Sequence, residues 1–64
     1  MIVNRQEFEA TPDQTEFVVT EFGLTSKYMV SIDGVLTMRG HYRSLNKVTF
    51  DVGLAEGVEV IIIN

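Results

Sequence analysis

The segment Tyr28–Met38 has the sequence of a complete β-hairpin, and it constrains the fold more than any other part of this 64-residue chain. Before the turn, apolar and other side chains alternate with the period of two that is typical of a strand. Asp33-Gly34 then supplies two residues that tolerate the positive φ angles of a type I′ turn. A two-residue loop predicts three cross-strand pairs: Ile32 with Val35, Val30 with Thr37, and Tyr28 with Arg39.

Similar strand patterns continue on both sides of the hairpin. Residues 2–9 form a weak strand or lead-in, and residues 16–22 are rich in the β-branched and aromatic types that suit a pleated surface. After a break at residues 40–42, Val48, Phe50 and Val52 alternate on one face, and Val58, Val60 and Ile62 line a final strand. The sequence therefore predicts one all-β domain over residues 1–64, a small antiparallel β-sandwich or barrel-like module with tight hairpins and with residues 1–9 as a lead-in strand or arm.

An alternative fold depends on two possible helix starts. Thr11-Pro12-Asp13-Gln14 has a capping threonine, a proline at the first helical position and a glutamine that can reach back. A short helix at Ser44–Val48 would complete a β-α-β-β-α-β order similar to the phosphocarrier protein HPr of the sugar phosphotransferase system. That resemblance implies a regulatory or partner-binding module without the phosphocarrier histidine. Against it, Val18 and Val19 are poor helix formers, so the β interpretation is preferred.

The charge and hydropathy of the chain exclude two classes of partner. Nine acidic residues and five basic ones give a formal net charge of −4, with no cluster of Lys and Arg that could bind phosphates. The longest apolar run, Val60–Ile63, is far shorter than a transmembrane segment, and the amino terminus lacks the apolar core of a signal peptide. We therefore expect no nucleic-acid partner and no membrane partner.

No residue pattern predicts catalysis or cofactor binding. His41 is the single histidine and cysteine is absent, so neither a nucleophilic relay nor a zinc site can be assembled. The acidic residues between Glu7 and Glu16 lack the spacing of a calcium loop, and the glycines lack the spacing of a phosphate-binding loop. Tyr42 is expected to pack inward as a structural residue. The chain is therefore predicted to be a non-enzyme without catalytic, cofactor-binding or metal-binding residues.

The strand pattern produces more apolar residues than one core requires. The expected core comprises Phe8, Phe17, Val19, Tyr28, Val30, Ile32, Val48, Phe50, Val58, Val60 and Ile62. Six further apolar residues have the opposite parity: Val18, Met29, Leu36, Met38, Ile61 and Ile63. Soluble monomers rarely leave such a set exposed, so these six are predicted to form an oligomer interface. The alternative is that bends and bulges bring all of them into one core.

The order of the segments resembles a small β module of bacteriophage tail fibres and other virion appendage or head-decoration proteins. The resemblance is carried by Gln14-Thr-Glu-Phe17, the hairpin with Asp33-Gly34, Gly40-His-Tyr42, Lys47-Val-Thr-Phe50, and Leu54-Ala-Glu-Gly57 before an apolar strand. It implies a non-enzymatic structural protein of the virion, made in the cytoplasm of the bacterial host and commonly a homotrimer. Its partners would be copies of itself and the capsid or tail proteins of the phage.

Overall fold

Seven strands form two antiparallel sheets in the structure, a computed structural model that describes residues 4–64. The strands are β1 (Arg5–Glu9), β2 (Gln14–Val18), β3 (Met29–Ile32), β4 (Val35–Thr37), β5 (His41–Ser44), β6 (Lys47–Leu54) and β7 (Glu59–Ile63). One sheet has four strands in the order β1-β7-β3-β4, and the other has three in the order β2-β6-β5. The predicted all-β sandwich is confirmed. Residues 1–3 of the predicted lead-in lie outside the described residues.

The central hairpin has the predicted turn and register. Asp33 has a φ of 49° and Gly34 a φ of 84°, as a type I′ turn requires. Ile32 pairs with Val35, and Val30 pairs with Thr37. The third predicted pair does not form, because the amide of Tyr28 donates instead to the carbonyl of Thr25 at 3.2 Å.

Both predicted helix starts are turns in this fold. At the first, the amide of Thr11 donates to the side-chain Oε1 of Gln14 at 2.9 Å, which is the reciprocal contact of a capping box. No helix follows, because Asp13 adopts a φ of 59° and Gln14 begins β2. The second, Ser44–Val48, contains the turn between β5 and β6. Residues 4–64 contain no helix, and hence none that could cross a membrane.

The core lies between the two sheets. All eleven predicted core residues contribute to it, seven of them buried and the other four partly buried against these. Phe17 is at its centre, and its ring packs edge to face against Phe8 and Phe50, with 5.5 Å between ring centroids in each pair. Sequence analysis missed Ala10 and Leu24, which are buried although they lie outside the strands.

A large bulge in β6 corrects the prediction for Val52. Glu16 pairs with Thr49 but Gln14 pairs with Leu54, so two steps along β2 correspond to five along β6. The three extra residues break the alternation, and Val52 is 76% exposed instead of sharing the buried face of Val48 and Phe50.

Gly53 allows the bulge to lie against the first turn. A Cβ atom at this position would lie 2.8 Å from the carbonyl oxygen of Asp13. We therefore expect Gly53→Ala to lower the free energy of unfolding by about 1–3 kcal/mol, the usual cost of overpacking. Urea denaturation followed by circular dichroism measures the change. Gly23→Ala is the matched control, because a Cβ there meets nothing within 4 Å; equal losses in the two variants would contradict the steric explanation.

Candidate interaction surface

The outer face of the four-stranded sheet carries an apolar patch. It is formed by Met29, Leu36, Ile61 and Ile63 on the strands, together with the exposed Met38 directly after the end of β4. These are five of the six residues predicted to form an interface. Met29 is opposite Ile63, and Ser31 lies between Ile61 on one neighbouring strand and Leu36 on the other. Met29, Leu36 and Met38 are exposed, and the two isoleucines are partly exposed. We refer to these five residues as the apolar patch.

The patch follows from the sequence of β7 and from an unbroken register. Glu59–Ile63 contains three consecutive isoleucines, and successive side chains of a strand point to opposite faces. Val60 and Ile62 are fully buried, so Ile61 and Ile63 point outward. β7 pairs with both β1 and β3 without a register shift. The alternative, in which bends and bulges bring all six residues into one core, is wrong, because none of the six is buried.

Val18 is separated from the other five predicted interface residues. It belongs to β2 in the three-stranded sheet, where it is opposite Lys47 and 54% exposed. The alternation of side chains along a strand shows which residues share a face, but it does not show which of two sheets the strand joins. The sequence pattern therefore groups Val18 with residues of the other sheet. The prediction that all six residues lie together is therefore corrected to a patch of five.

Acidic residues border the patch on the side of β1. Glu7 lies opposite Ile61 and forms an ion pair with Arg5 at 2.9 Å, and Glu9 lies opposite Glu59. These carboxylates line an open depression together with Phe8 and Gly57. Within residues 4–64, no group of three or more His, Asp or Glu side chains could hold a metal ion. We refer to Glu7, Glu9 and Glu59 as the acidic rim of the patch.

His41 connects the two sheets through a defined pair of hydrogen bonds. Its Nε2 lies 3.0 Å from the carbonyl oxygen of Thr37, which can only accept, so Nε2 carries the proton. Nδ1 then accepts the hydrogen bond of the Tyr28 hydroxyl at 2.9 Å. The His41 ring also packs against Tyr28 and Phe50. With both ring nitrogens engaged, this histidine holds β4 and β5 together.

The inward aromatic residue of this region is not the one predicted. His41 is opposite Phe50 and faces the interior, so the next residue, Tyr42, faces outward and is 55% exposed. The expectation that Tyr42 packs inward is wrong, because side chains alternate along β5 and His41 takes the inward position. The Tyr28–His41 contact joins a residue just before β3 to one in β5, 13 positions away, and no local pattern predicts it.

Burial raises the pKa of Tyr28 above its ordinary value of 10.0, and Arg43 partly offsets the effect. A raised pKa in the folded state stabilises the fold below the unfolded value, and this contribution is lost as the pH rises through the folded pKa. We therefore expect a Tyr42→Phe variant, which keeps Tyr28 as its single phenol, to lose stability above about pH 10. Denaturant midpoints measured on both sides of that pH test this. Adding Tyr28→Phe should reduce the loss, and an unchanged loss would contradict the assignment to Tyr28.

Comparisons with protein-family models, with curated proteins and with solved structures give no match. The similarity to phage virion modules therefore depends on the sequence motifs alone. The interpretation as a virion protein stays a prediction, and the apolar patch provides the physical basis for a functional proposal.

Proposed function

We propose that this protein is a non-enzymatic structural module of a bacteriophage virion that acts through self-assembly. The observation that carries the proposal is the apolar patch, four large side chains on the outer face of one sheet with the exposed Met38 directly after β4. An antiparallel sheet that faces water on one side normally presents polar residues there. The four-stranded sheet departs from this rule across three adjacent strands, β7, β3 and β4.

The energetic scale of the patch favours a protein partner. Burying a large apolar side chain contributes roughly 1.5–3 kcal/mol. Complete burial of even three of the five would therefore provide roughly 4–9 kcal/mol, which is comparable to the whole stability of a small domain. A second copy of the chain carries the same apolar surface, so self-association needs no other protein. Self-association through the patch is therefore the interaction that we propose.

The resemblance of the sequence to virion modules supplies the biological setting. It supports a homotrimer that forms part of a tail fibre, a head fibre or a capsid decoration, with capsid or tail proteins as further partners. The protein would be made in the host cytoplasm and incorporated into the virion. A small β-sandwich with a packed core and an apolar outer face suits a structural role that requires no catalysis.

Sedimentation velocity and native mass spectrometry at micromolar concentration test the proposal. We expect a homotrimer, and a protein that remains monomeric throughout this range would contradict self-assembly. Mass spectrometry of purified virus particles tests the location separately: the chain should be present at a copy number divisible by three. An assembled protein that is absent from particles would keep the self-association and remove the virion assignment.

A further inference from the structure

A closed three-fold ring needs two different surfaces on every subunit. Only two-fold interfaces are self-complementary, whereas a ring joins one surface of each subunit to another surface of the next. The outer face of a four-stranded sheet with strands of about five residues has a footprint of roughly 300 Å², and stable interfaces bury about 800 Å² per partner. If the protein assembles as proposed above, the apolar patch therefore requires a second, complementary surface.

Leu45 is the most exposed large apolar residue of the described chain. It is at the turn between β5 and β6, its exposure is 84%, and its φ is 54°. Asp13 and Asp33 also have positive φ, but Asp tolerates this conformation far better than a bulky residue such as Leu. A leucine that is both strained and exposed is unfavourable for the isolated subunit. Backbone strain of this kind is often found at functional sites, where a role in binding or catalysis outweighs the cost to the stability of the fold.

The turn that carries Leu45 is held by hydrogen bonds on both sides. The side-chain Oδ1 of Asn46 accepts from the amide of Leu24 at 3.1 Å, and its backbone carbonyl accepts from the amide of Val19 at 2.7 Å. Arg43 donates from its guanidinium to the carbonyl of Leu45 at 3.1 Å. The apolar side chain is thus presented in a preorganised turn, which lowers the entropy cost of inserting it into a partner.

The charges around Leu45 complement those around the apolar patch. Arg43 and Lys47 flank the turn, and one acidic residue, Glu16, pairs with Lys47 at 3.3 Å. The rim of the patch has the opposite balance, since three glutamates (Glu7, Glu9 and Glu59) face a single paired arginine. Among these side chains, and within residues 4–64, Arg43 of the turn and Glu9 and Glu59 of the rim form no ion pair. Such complementarity favours a specific orientation.

We propose that Leu45 of one subunit seats on the apolar patch of the next, so that the turn between β5 and β6 is the second half of the subunit interface. This inference rests on the proposed self-assembly and specifies its geometry. It predicts a head-to-tail contact that closes as a ring. It also accounts for a strained, exposed leucine at a position where glycine or asparagine would suit the backbone better.

Two variants that each remove one half of the contact provide the test. Leu45→Asn removes the apolar side chain, keeps a residue that tolerates positive φ and leaves the patch intact. Ile61→Asp damages the patch and leaves Leu45 intact. Val52→Asn is the control, because it removes another highly exposed apolar side chain that belongs to neither surface. Native mass spectrometry is run on each variant alone and on mixtures in which one variant is labelled with nitrogen-15.

The head-to-tail contact predicts a distinct pattern of association. Leu45→Asn and Ile61→Asp should each be monomeric alone, while their mixture forms a 1:1 heterodimer, because the leucine of one meets the intact patch of the other. Val52→Asn should assemble like the wild type. If Leu45→Asn alone assembles like the wild type, the inference is wrong but patch-mediated assembly survives. If it is monomeric and the mixture gives no heterodimer, Leu45 does not seat on the patch. A monomeric wild type would instead overturn the proposed function itself.

A measurement on the isolated subunit checks the strain at Leu45. In the monomeric Ile61→Asp background, adding Leu45→Gly should raise the thermal midpoint, because glycine adopts positive φ without steric cost. If Leu45→Asn prevents assembly while Leu45→Gly stabilises the monomer, Leu45 serves binding and not folding. A lower midpoint would show that Leu45 serves the fold, and this would overturn the inference.

Discussion

Ile61→Asp is expected to convert the assembled protein into folded monomers. Ile61 lies at the β7 side of the apolar patch, between Glu7 and Ser31 on the neighbouring strands. In the free subunit an aspartate at this outward position stays hydrated. In the assembly it would be a buried, unpaired charge, which costs several kcal/mol. A loss of about 4 kcal/mol weakens association roughly 1,000-fold, and this shift is measurable by sedimentation velocity across a dilution series.

The neighbouring residue provides a contrast for this experiment. Ile62 is fully buried in the core, one position along β7 on the opposite face. Ile62→Asp should therefore unfold the subunit, whereas Ile61→Asp should keep the β-sheet circular dichroism spectrum. If Ile61→Asp remains fully assembled, the outer face of the four-stranded sheet is not the interface. If both variants unfold, the effect of Ile61→Asp does not report on association.

Phe17→Ala is expected to remove a large part of the stability of the fold. The side chain of Phe17 is 1% exposed and connects Phe8 and Phe50 through edge-to-face contacts. Truncating a buried phenylalanine costs about 3–5 kcal/mol. A chain of 64 residues has a total stability of roughly 3–10 kcal/mol, at about 0.05–0.15 kcal/mol per residue. The loss is therefore a large part of the whole, and dispersion of amide proton shifts in NMR spectra will show whether a folded population remains.

Phe22→Ala serves as the comparison for this truncation. Phe22 packs against the same core but is only partly buried, so less apolar area is lost and a smaller cavity forms. Urea midpoints should decrease much less for Phe22→Ala than for Phe17→Ala. Equal decreases would contradict the placement of Phe17 at the centre of the core.

The parts of the fold that local chemistry determines were predictable from the sequence. Asp33-Gly34 specified a turn type and a register, since both depend on φ preferences at two adjacent positions. The alternation of Val60, Ile61 and Ile62 specified inner and outer faces, because β7 has no bulge. Four of the apolar patch residues follow from these two segments alone: Met29, Leu36, Ile61 and Ile63.

The incorrect predictions arise where a contact between distant segments decides the outcome. Val52 is exposed because a bulge in β6 accommodates the turn at Asp13, and nothing near Val52 in the sequence indicates this. Val18 joins a different sheet from the apolar patch, a choice set by pairing with Lys47. The contact between Tyr28 and His41 likewise depends on how the two sheets stack. These features require the tertiary structure.

The position of β7 in the four-stranded sheet has a consequence for the order of events during biosynthesis. This last strand inserts between β1 and β3, so the sheet is incomplete until residues 59–63 have been made and docked. Pairings between distant segments form slowly because loop closure must precede them. Ile61 and Ile63 belong to β7, so this part of the apolar patch forms only when β7 has docked between β1 and β3. In the proposed assembly, a subunit whose β7 has not docked would lack two of the five patch residues and would therefore associate more weakly.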